Sequence, residues 1–265
     1  MTALQAVALG IVQGLTEFLP VSSSAHLILV PVVLGWPDQG LAFDGAVHLG
    51  TSLALLCWFG RDLLRLGAET LAGERRAARV GLAVVVGSIP VGLAGLLLER
   101  AVETHLRSAA VVAGSLIGWG LVLGWADRRA AHATVADLYQ VGVWRGLAIG
   151  CAQAVALVPG TSRSGITITA GLFAGLDRPT AARFAFLLGL PVTALAGLLK
   201  TADLLRGGLG GSDAAMLGLG LATSFLAGLA AVWFLLRYVQ RRTLTVFVAY
   251  RVLLGLVILW LVVAM

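Results

Sequence analysis

Two short stretches hold most of the residue types that could do chemistry in this chain. The first contains Gln13, Glu17, Ser22, Ser23, Ser24 and His26. Glu17 is the only acid in the first 37 residues. It lies four residues after Gln13, hence on the same face of a helix. A carboxylate in apolar surroundings is costly unless it is paired or holds a cation, so Glu17 reads as functional. Pro20 breaks the helix, and a serine opening the next one is an ordinary N-cap. Capping accounts for one of the three serines and leaves two hydroxyls beside a histidine. Ser23 and His26 are three apart at the start of that helix and share a face. They read as a nucleophile with an imidazole to accept its proton.

The second stretch is Pro159-Gly160-Thr161-Ser162-Arg163-Ser164-Gly165-Ile166-Thr167. Arg163 is a permanent cation whose forked donors suit phosphate oxygens. Gly160 and Gly165 permit close backbone approach. The helix that follows turns its free N–H groups and positive dipole end toward the same place. Ser22, Ser162, Ser164 and Thr167 add hydroxyl donors. One arginine, two half-helix N-termini, several hydroxyls and one carboxylate predict a site for a phosphate with a divalent cation, Glu17 and Gln13 being the cation's ligands. An intramembrane serine hydrolase fits less well, because an acyl oxyanion calls for neutral donors rather than an arginine.

Gln13-x-x-x-Glu17, then Ser22-Ser23 with His26, then Pro159 to Thr167 resemble the signatures of the bacterial undecaprenyl-diphosphate phosphatases, the bacitracin-resistance family. The resemblance covers essentially the whole chain. Gln13 is within the family pattern, which opens with Glu or Gln, and it leaves one carboxylate where some relatives have two. Ala25 stands where many members have Gly. The resemblance implies hydrolysis of undecaprenyl diphosphate to the monophosphate with release of inorganic phosphate on the outer face. That recycles the lipid carrier for peptidoglycan synthesis and confers bacitracin resistance. It also implies dependence on a divalent cation, Mg²⁺ or Ca²⁺. On this reading Arg163 clamps the phosphates over Gly160, Glu17 assisted by Gln13 binds the cation, and His26 is the general acid or base. Ser23 either attacks phosphorus or orients a water. The partners are a polyprenyl diphosphate and the surrounding membrane lipids; a homodimer is compatible with these residues and not required by them.

The elements that must position these groups belong to an all-α integral membrane protein. Of 265 residues, 59% are hydrophobic and 12% charged, about half the charged fraction of ordinary soluble domains. Val80–Leu98, Ala109–Ala126, Met216–Leu236 and Leu244–Met265 are long apolar blocks with no interior acid and at most one base. Each is about as long as the ~20 helical residues that a ~30 Å hydrocarbon core requires. A soluble bundle would keep a polar face on each helix, and these blocks have none. The net charge of +6 does not indicate a nucleic-acid partner, because the bases flank spans and form no separate domain. Gly114/Gly118, Gly120/Gly124 and Gly171/Gly175 have the four-residue spacing that lets membrane helices approach closely. Cys57 and Cys151 lie in apolar segments and read as packed thiols. The first segment lacks the basic start of a cleavable signal peptide.

The chain also echoes itself. Gly10, Gln13, Pro20 and Ser22-Ser23 match Gly150, Gln153, Pro159 and Thr161-Ser162 with a one-residue gap. Leu49-Gly50 matches Leu188-Gly189, and Leu93-Ala94-Gly95 matches Leu226-Ala227-Gly228. The expectation is one membrane domain, 1–265, made of two repeats near 1–135 and 136–265. Each repeat opens with a re-entrant helix–break–helix hairpin, because both openings are too short to cross a bilayer. Three spans follow in each, near 43–60, 80–98 and 108–126, then 181–200, 215–236 and 244–264. An odd number of spans per repeat inverts one against the other. Thirteen bases then fall on one side, in 61–79, 127–145, 177–183 and 237–243, and four on the other. The positive-inside rule makes the first side cytoplasmic in a bacterial plasma membrane, with both termini outside. Inverted repeats with broken helices are also transporter features, so a secondary transporter or lipid flippase is the alternative reading.

Overall fold

The computed structural model describes residues 1–106, 108–206 and 211–264. Among them the regular elements are helices: α1 (Ala3–Phe18), α2 (Ser23–Leu34), α3 (Gly40–Leu71), α4 (Arg75–His105), α5 (Ala109–Arg129), α6 (Val143–Ala154), α7 (Arg163–Phe173), α8 (Arg178–Arg206), α9 (Gly211–Tyr238) and α10 (Thr245–Ala264). This is an all-α membrane protein. Five segments are long and apolar enough to cross a bilayer: Arg75–Leu98, Ala109–His132, Arg178–Leu199, Ala214–Tyr238 and Thr245–Val262. The sixth expected span, 43–60, lies inside α3 and is not among the five. Asp44, His48, Thr51 and Ser52 interrupt its apolar run, and one of them belongs to the candidate active site. Arg107, one of the four bases expected opposite the basic side, lies outside the described residues.

Helix–break–helix units occur where the sequence predicts them. A Thr2–Gln5 capping box opens α1, and the chain turns extended at Leu19, just before Pro20. With 16 residues in α1 and 12 in α2, then 12 in α6 and 11 in α7, each helix is about 24 Å long or less, short of a ~30 Å core. Both breaks place a serine at positive φ immediately before the second helix, Ser22 at 74° and Ser162 at 69°. The left-handed region is strained for any residue but Gly, so it persists only where surroundings impose it. The strained serines pair Ser22 with Ser162 at the same offset as Gln13 and Gln153, so the two turns match without the gap that aligning Pro20 with Pro159 requires.

Small residues bring the first helix of each unit against a long helix, α1 against α9 and α6 against α4. A Cβ on Gly10 of α1 would meet Thr223 Oγ1 and Gly220 O of α9, and one on Gly14 would lie 2.6 Å from Ala227 Cβ. In the same way Gly146 and Gly150 of α6 press on Ala83 and Gly87 of α4. These four glycines carry the close crossings. The pair Gly114/Gly118 does not: neither has an atom within 4 Å of an added Cβ, so both face open space. Gly120 and Gly124 instead make room for Arg251 and Val248 of α10, and Gly171 packs against Ala181. Cys57 and Cys151 are exposed on the outer surface of the bundle rather than packed.

The segments expected on the basic side meet at one end of the molecule. Arg183 pairs with Asp62 at 2.7 Å, Arg178 with Asp127 at 2.5 Å, and Asp127 also accepts from Leu244 N at 3.0 Å. Glu69 accepts from Arg65 and from Tyr139, and these hydrogen bonds, Arg65's first, hold its carboxyl below the usual range.

Candidate active site

The two breaks meet. Gly160 N donates to Ser24 Oγ at 3.4 Å, and Ser164 Oγ donates to Leu19 O at 3.1 Å, so each turn is stitched to the other. Arg251 adds a second link from α10. Its side chain is fully buried (0% exposed), and its guanidinium donates to Pro20 O at the first break and to Gly160 O and Thr161 O at the second, as well as to Ser115 O and Leu116 O of α5. No acid pairs with it among the described residues. Gly165 leaves the space it needs: a Cβ there would lie 2.6 Å from Arg251 Nη1.

Glu17 is the hub of the site. Its Oε1 accepts from Arg163 Nη2 at 2.9 Å, across the junction of the two breaks. Its Oε2 accepts from Ser23 Oγ at 2.6 Å and from Gln13 Nε2 at 3.1 Å. His48 Nε2 of α3 lies 3.6 Å from the same oxygen. Glu17 is buried and Ser23 half-buried, which strengthens every charge interaction here relative to water. The other terminal nitrogen of Arg163 donates to Gly189 O at 2.6 Å, so the fork is braced by α8. The structure thus brings together Gln13, Glu17, Ser23 and Arg163.

Ser23 and His26, expected as a pair, have different partners. Ser23 gives its hydroxyl hydrogen to Glu17. His26 Nδ1 meets Ser22 O at 2.7 Å and its Nε2 meets Tyr250 OH of α10 at 2.6 Å, with the two rings stacked. Ser22 is the N-cap of α2, and its carbonyl stands at the helical i to i+4 relation to His26, whose backbone N–H also reaches it at 3.4 Å. Ser22 Oγ lies 3.2 Å from Ser24 Oγ, and Ser162 Oγ lies 3.3 Å from Ser164 Oγ. Ser162 also caps α7 by accepting from Gly165 N at 3.2 Å. Thr167 is turned away, its hydroxyl donating to Arg163 O at 2.8 Å within its own helix. Gly160 has φ +87°, and a Cβ there would strike Val112 O. Ala25, at the position where a glycine was expected, is buried against Val112, Ala113, Leu116 and Ile258.

For a divalent cation the donor set is one carboxylate and one amide. Gln13 Oε1 is buried without a hydrogen-bond partner among the described residues, and it belongs to the side chain whose nitrogen already holds Glu17. An orphaned hard oxygen beside a carboxylate fits a cation that takes its remaining ligands from phosphate oxygens and water. No group of three or more His, Cys, Asp or Glu that could hold a metal unaided occurs among the described residues.

His48, Tyr250 and Arg251 belong to this neighbourhood and were not among the residues singled out as its chemistry; Ser24, noted in the first stretch without a role of its own, links the two turns. A histidine four residues from Asp44 inside a span, and an arginine inside another, are the sequence signals that could have found two of them.

The chain matches the family model described as Bacitracin resistance protein BacA over residues 6–257. It belongs to that family. Among curated proteins it is 46% identical over 273 residues to "Undecaprenyl-diphosphatase" of Thermomicrobium roseum, covering 98% of each chain. It is 47% identical over 268 residues to "Undecaprenyl-diphosphatase 2" of Stutzerimonas stutzeri, again covering 98% of each. It is 47% identical over 261 residues to "Undecaprenyl-diphosphatase" of Geobacter sulfurreducens, covering 96% of each. The BacA match spans both helix–break–helix units, so the whole site lies within the family's own extent.

Proposed function

We propose that this chain is a membrane undecaprenyl-diphosphatase, releasing inorganic phosphate and lipid monophosphate, and that Ser23 is its nucleophile. The observation that carries the assignment is the double use of Glu17: one oxygen on Arg163 at 2.9 Å, the other on Ser23 Oγ at 2.6 Å. A carboxylate hydrogen-bonded to a serine hydroxyl is placed to take its proton. An incoming diphosphate competes with that carboxylate for the Arg163 fork, whose bidentate geometry matches phosphate oxygens.

Ser23 Oγ then attacks the terminal phosphorus and its proton passes to Glu17. The anhydride P–O bond breaks, lipid monophosphate leaves, and phosphate stays on Ser23. Water hydrolyses that ester, returning the proton to Ser23 and releasing inorganic phosphate. Arg163, the α7 N-terminus and the hydroxyls of Ser22, Ser162 and Ser164 neutralise the charge that builds on the phosphoryl oxygens. A divalent cation held by Glu17 and Gln13 Oε1 would supply further charge neutralisation at the phosphates.

The two units are read as inverted repeats whose breaks reach the middle of the membrane from opposite sides. Recurrent strained serines, buried glutamines and glycine crossings support this. The basic end is read as cytoplasmic in a bacterial plasma membrane, and the site is read as opening to the outer face, as the family resemblance implies. Single cysteines at Ala72 and Ala214 test it: outside labelling of intact cells should reach Ala214 and not Ala72, and the reverse pattern would invert the assignment. The activity is tested by phosphate release from purified protein given polyprenyl diphosphate, with and without chelator. The expected result is turnover that the chelator abolishes. Turnover indifferent to chelator would remove the cation, and no turnover under either condition would remove the diphosphatase reading.

A further inference from the structure

We propose that Tyr250 receives the lipid-linked phosphate of the substrate, with His26 as its proton partner, and that the prenyl chain leaves the site across α10 along Val246, Leu253 and Val257. The proposal rests on the diphosphatase reading and adds a substrate contact and a path for the tail.

Position makes the first argument. Val246, Tyr250, Leu253 and Val257 recur at helical spacing on one face of α10, and all four are exposed, Tyr250 at 43%. In a membrane helix such a face meets lipid, and Tyr250 is the polar member of that stripe. Its hydroxyl nevertheless turns inward to the buried His26, one helical turn from Ser23. A substrate with a buried head and a tail in lipid must cross the protein surface where an apolar face touches the site. Tyr250 stands at such a crossing.

Hydrogen-bond polarity makes the second. Ser22 O can only accept, so His26 Nδ1 carries a hydrogen and donates to it. If the imidazole is neutral, Nε2 accepts the hydrogen of Tyr250, whose oxygen then presents only lone pairs. Such an oxygen repels phosphate. If the imidazole is protonated, Nε2–H donates to the Tyr250 oxygen and frees the hydroxyl hydrogen for a phosphate oxygen. Binding of the lipid-linked phosphate therefore draws one proton from water onto His26 and reverses the direction of the chain. Release of lipid monophosphate returns that proton. The charged and titratable groups of this neighbourhood are Glu17 on α1, His48 on α3 beside it, Arg163 on α7, and Tyr250 and Arg251 on α10, while α5 presents the apolar Val112, Ala113 and Leu116. Glu17 is held by Arg163 and Ser23, and Arg251 by backbone carbonyls, which leaves the phosphate itself as the charge that favours imidazolium.

Tyr250→Phe keeps the stacked ring and removes only the hydroxyl. Phosphate release is measured from about pH 5.5 to 8.5, the range in which histidine titrates, with a long-chain polyprenyl diphosphate and a short soluble prenyl diphosphate. For the wild type, KM should rise as pH climbs and His26 loses its proton. For Tyr250→Phe, KM should be raised roughly ten- to hundredfold at the acid end, the cost of a hydrogen bond to a charged group, and should no longer vary with pH, with kcat changed far less. A Tyr250→Phe enzyme with the wild-type KM and pH profile overturns the phosphate contact. Leu253→Trp, on the proposed tail path, should raise KM for the long chain and leave the short one unaffected; equal effects on both, or none, overturn the path. A wild type that releases no phosphate would instead sink the diphosphatase reading, a separate result.

Discussion

The two breaks have the same backbone and opposite chemistry. Each is preceded by a fully buried glutamine, Gln13 or Gln153, each carries a serine at positive φ, and each sets two serine hydroxyls 3.2–3.3 Å apart at the start of the following helix. At matching positions the side chains diverge. The first turn has Glu17, Ser23 and His26 where the second has Leu157, Arg163 and Ile166. One turn contributes the anion and the nucleophile, the other the cation, and the 2.9 Å contact between Glu17 and Arg163 closes the site. Neither turn would hold a phosphate and activate a hydroxyl alone. What the likeness provides is rigid placement, and what the difference provides is reactivity.

Erasing the difference should cost most. Arg163→Lys keeps the charge and loses the fork, so phosphate release should fall by orders of magnitude with the protein still folded; near-normal turnover would show that charge alone suffices. Glu17→Gln should be as damaging, because an amide cannot take the Ser23 proton, and added Mg²⁺ should restore little of the loss.

Next comes a test of the paired serines. Ser23→Ala should abolish turnover, whereas Ser162→Ala should lower it far less and cost about 1 kcal/mol of stability for a lost N-cap. Retention of more than about a tenth of turnover by Ser23→Ala would leave under ~1.4 kcal/mol of barrier to the hydroxyl and make a water the attacker. Ser23 and His26 have separate partners, so their single-mutant losses should compound in the double mutant; a double no worse than the poorer single would mean they act as a unit.

Much of this was legible in the sequence and some was not. Glu17 and Arg163 stood out because charge inside an apolar block is costly and demands a partner. The two breaks were legible because proline, glycine and serine clusters punctuate helices that are too short to cross. The partner of Ser23 was not legible. Helical spacing places Ser23 and His26 on one face, but Glu17 before the turn and Tyr250 on α10 decide where each side chain points. His48, Tyr250 and Arg251 reach the site from other helices, and no local pattern announces contacts such as those of Tyr250 with His26 and Arg251 with Pro20, made across more than two hundred residues. The glycine crossings illustrate the same limit. Spacing alone could not distinguish Gly114/Gly118, which face open space, from Gly10/Gly14, which seat α1 on α9.

The smallest expected effect is also the most direct test of the likeness. Gln13 and Gln153 occupy corresponding positions and are both wholly buried, but only Gln13 has acquired an acid to hold. Its Nε2 donates to Glu17 and its Oε1 is left over. Gln153 has neither amide atom satisfied among the described residues, and the residue after its turn is Leu157 rather than an acid. Burying an unsatisfied amide costs about 1–3 kcal/mol, and replacing it with an apolar group of similar volume removes that cost. Gln153→Leu should therefore leave turnover within about twofold of wild type, well below the ~1.4 kcal/mol that a tenfold change represents, and should hold or raise the thermal midpoint in detergent. Gln13→Leu should lower turnover and weaken the dependence on cation, because it strips a donor from Glu17 and the free oxygen beside it. Matching losses from the two variants would mean that Gln153 holds something the second turn needs, a water or a ligand group, and the two turns would then differ less in chemistry than their side chains indicate.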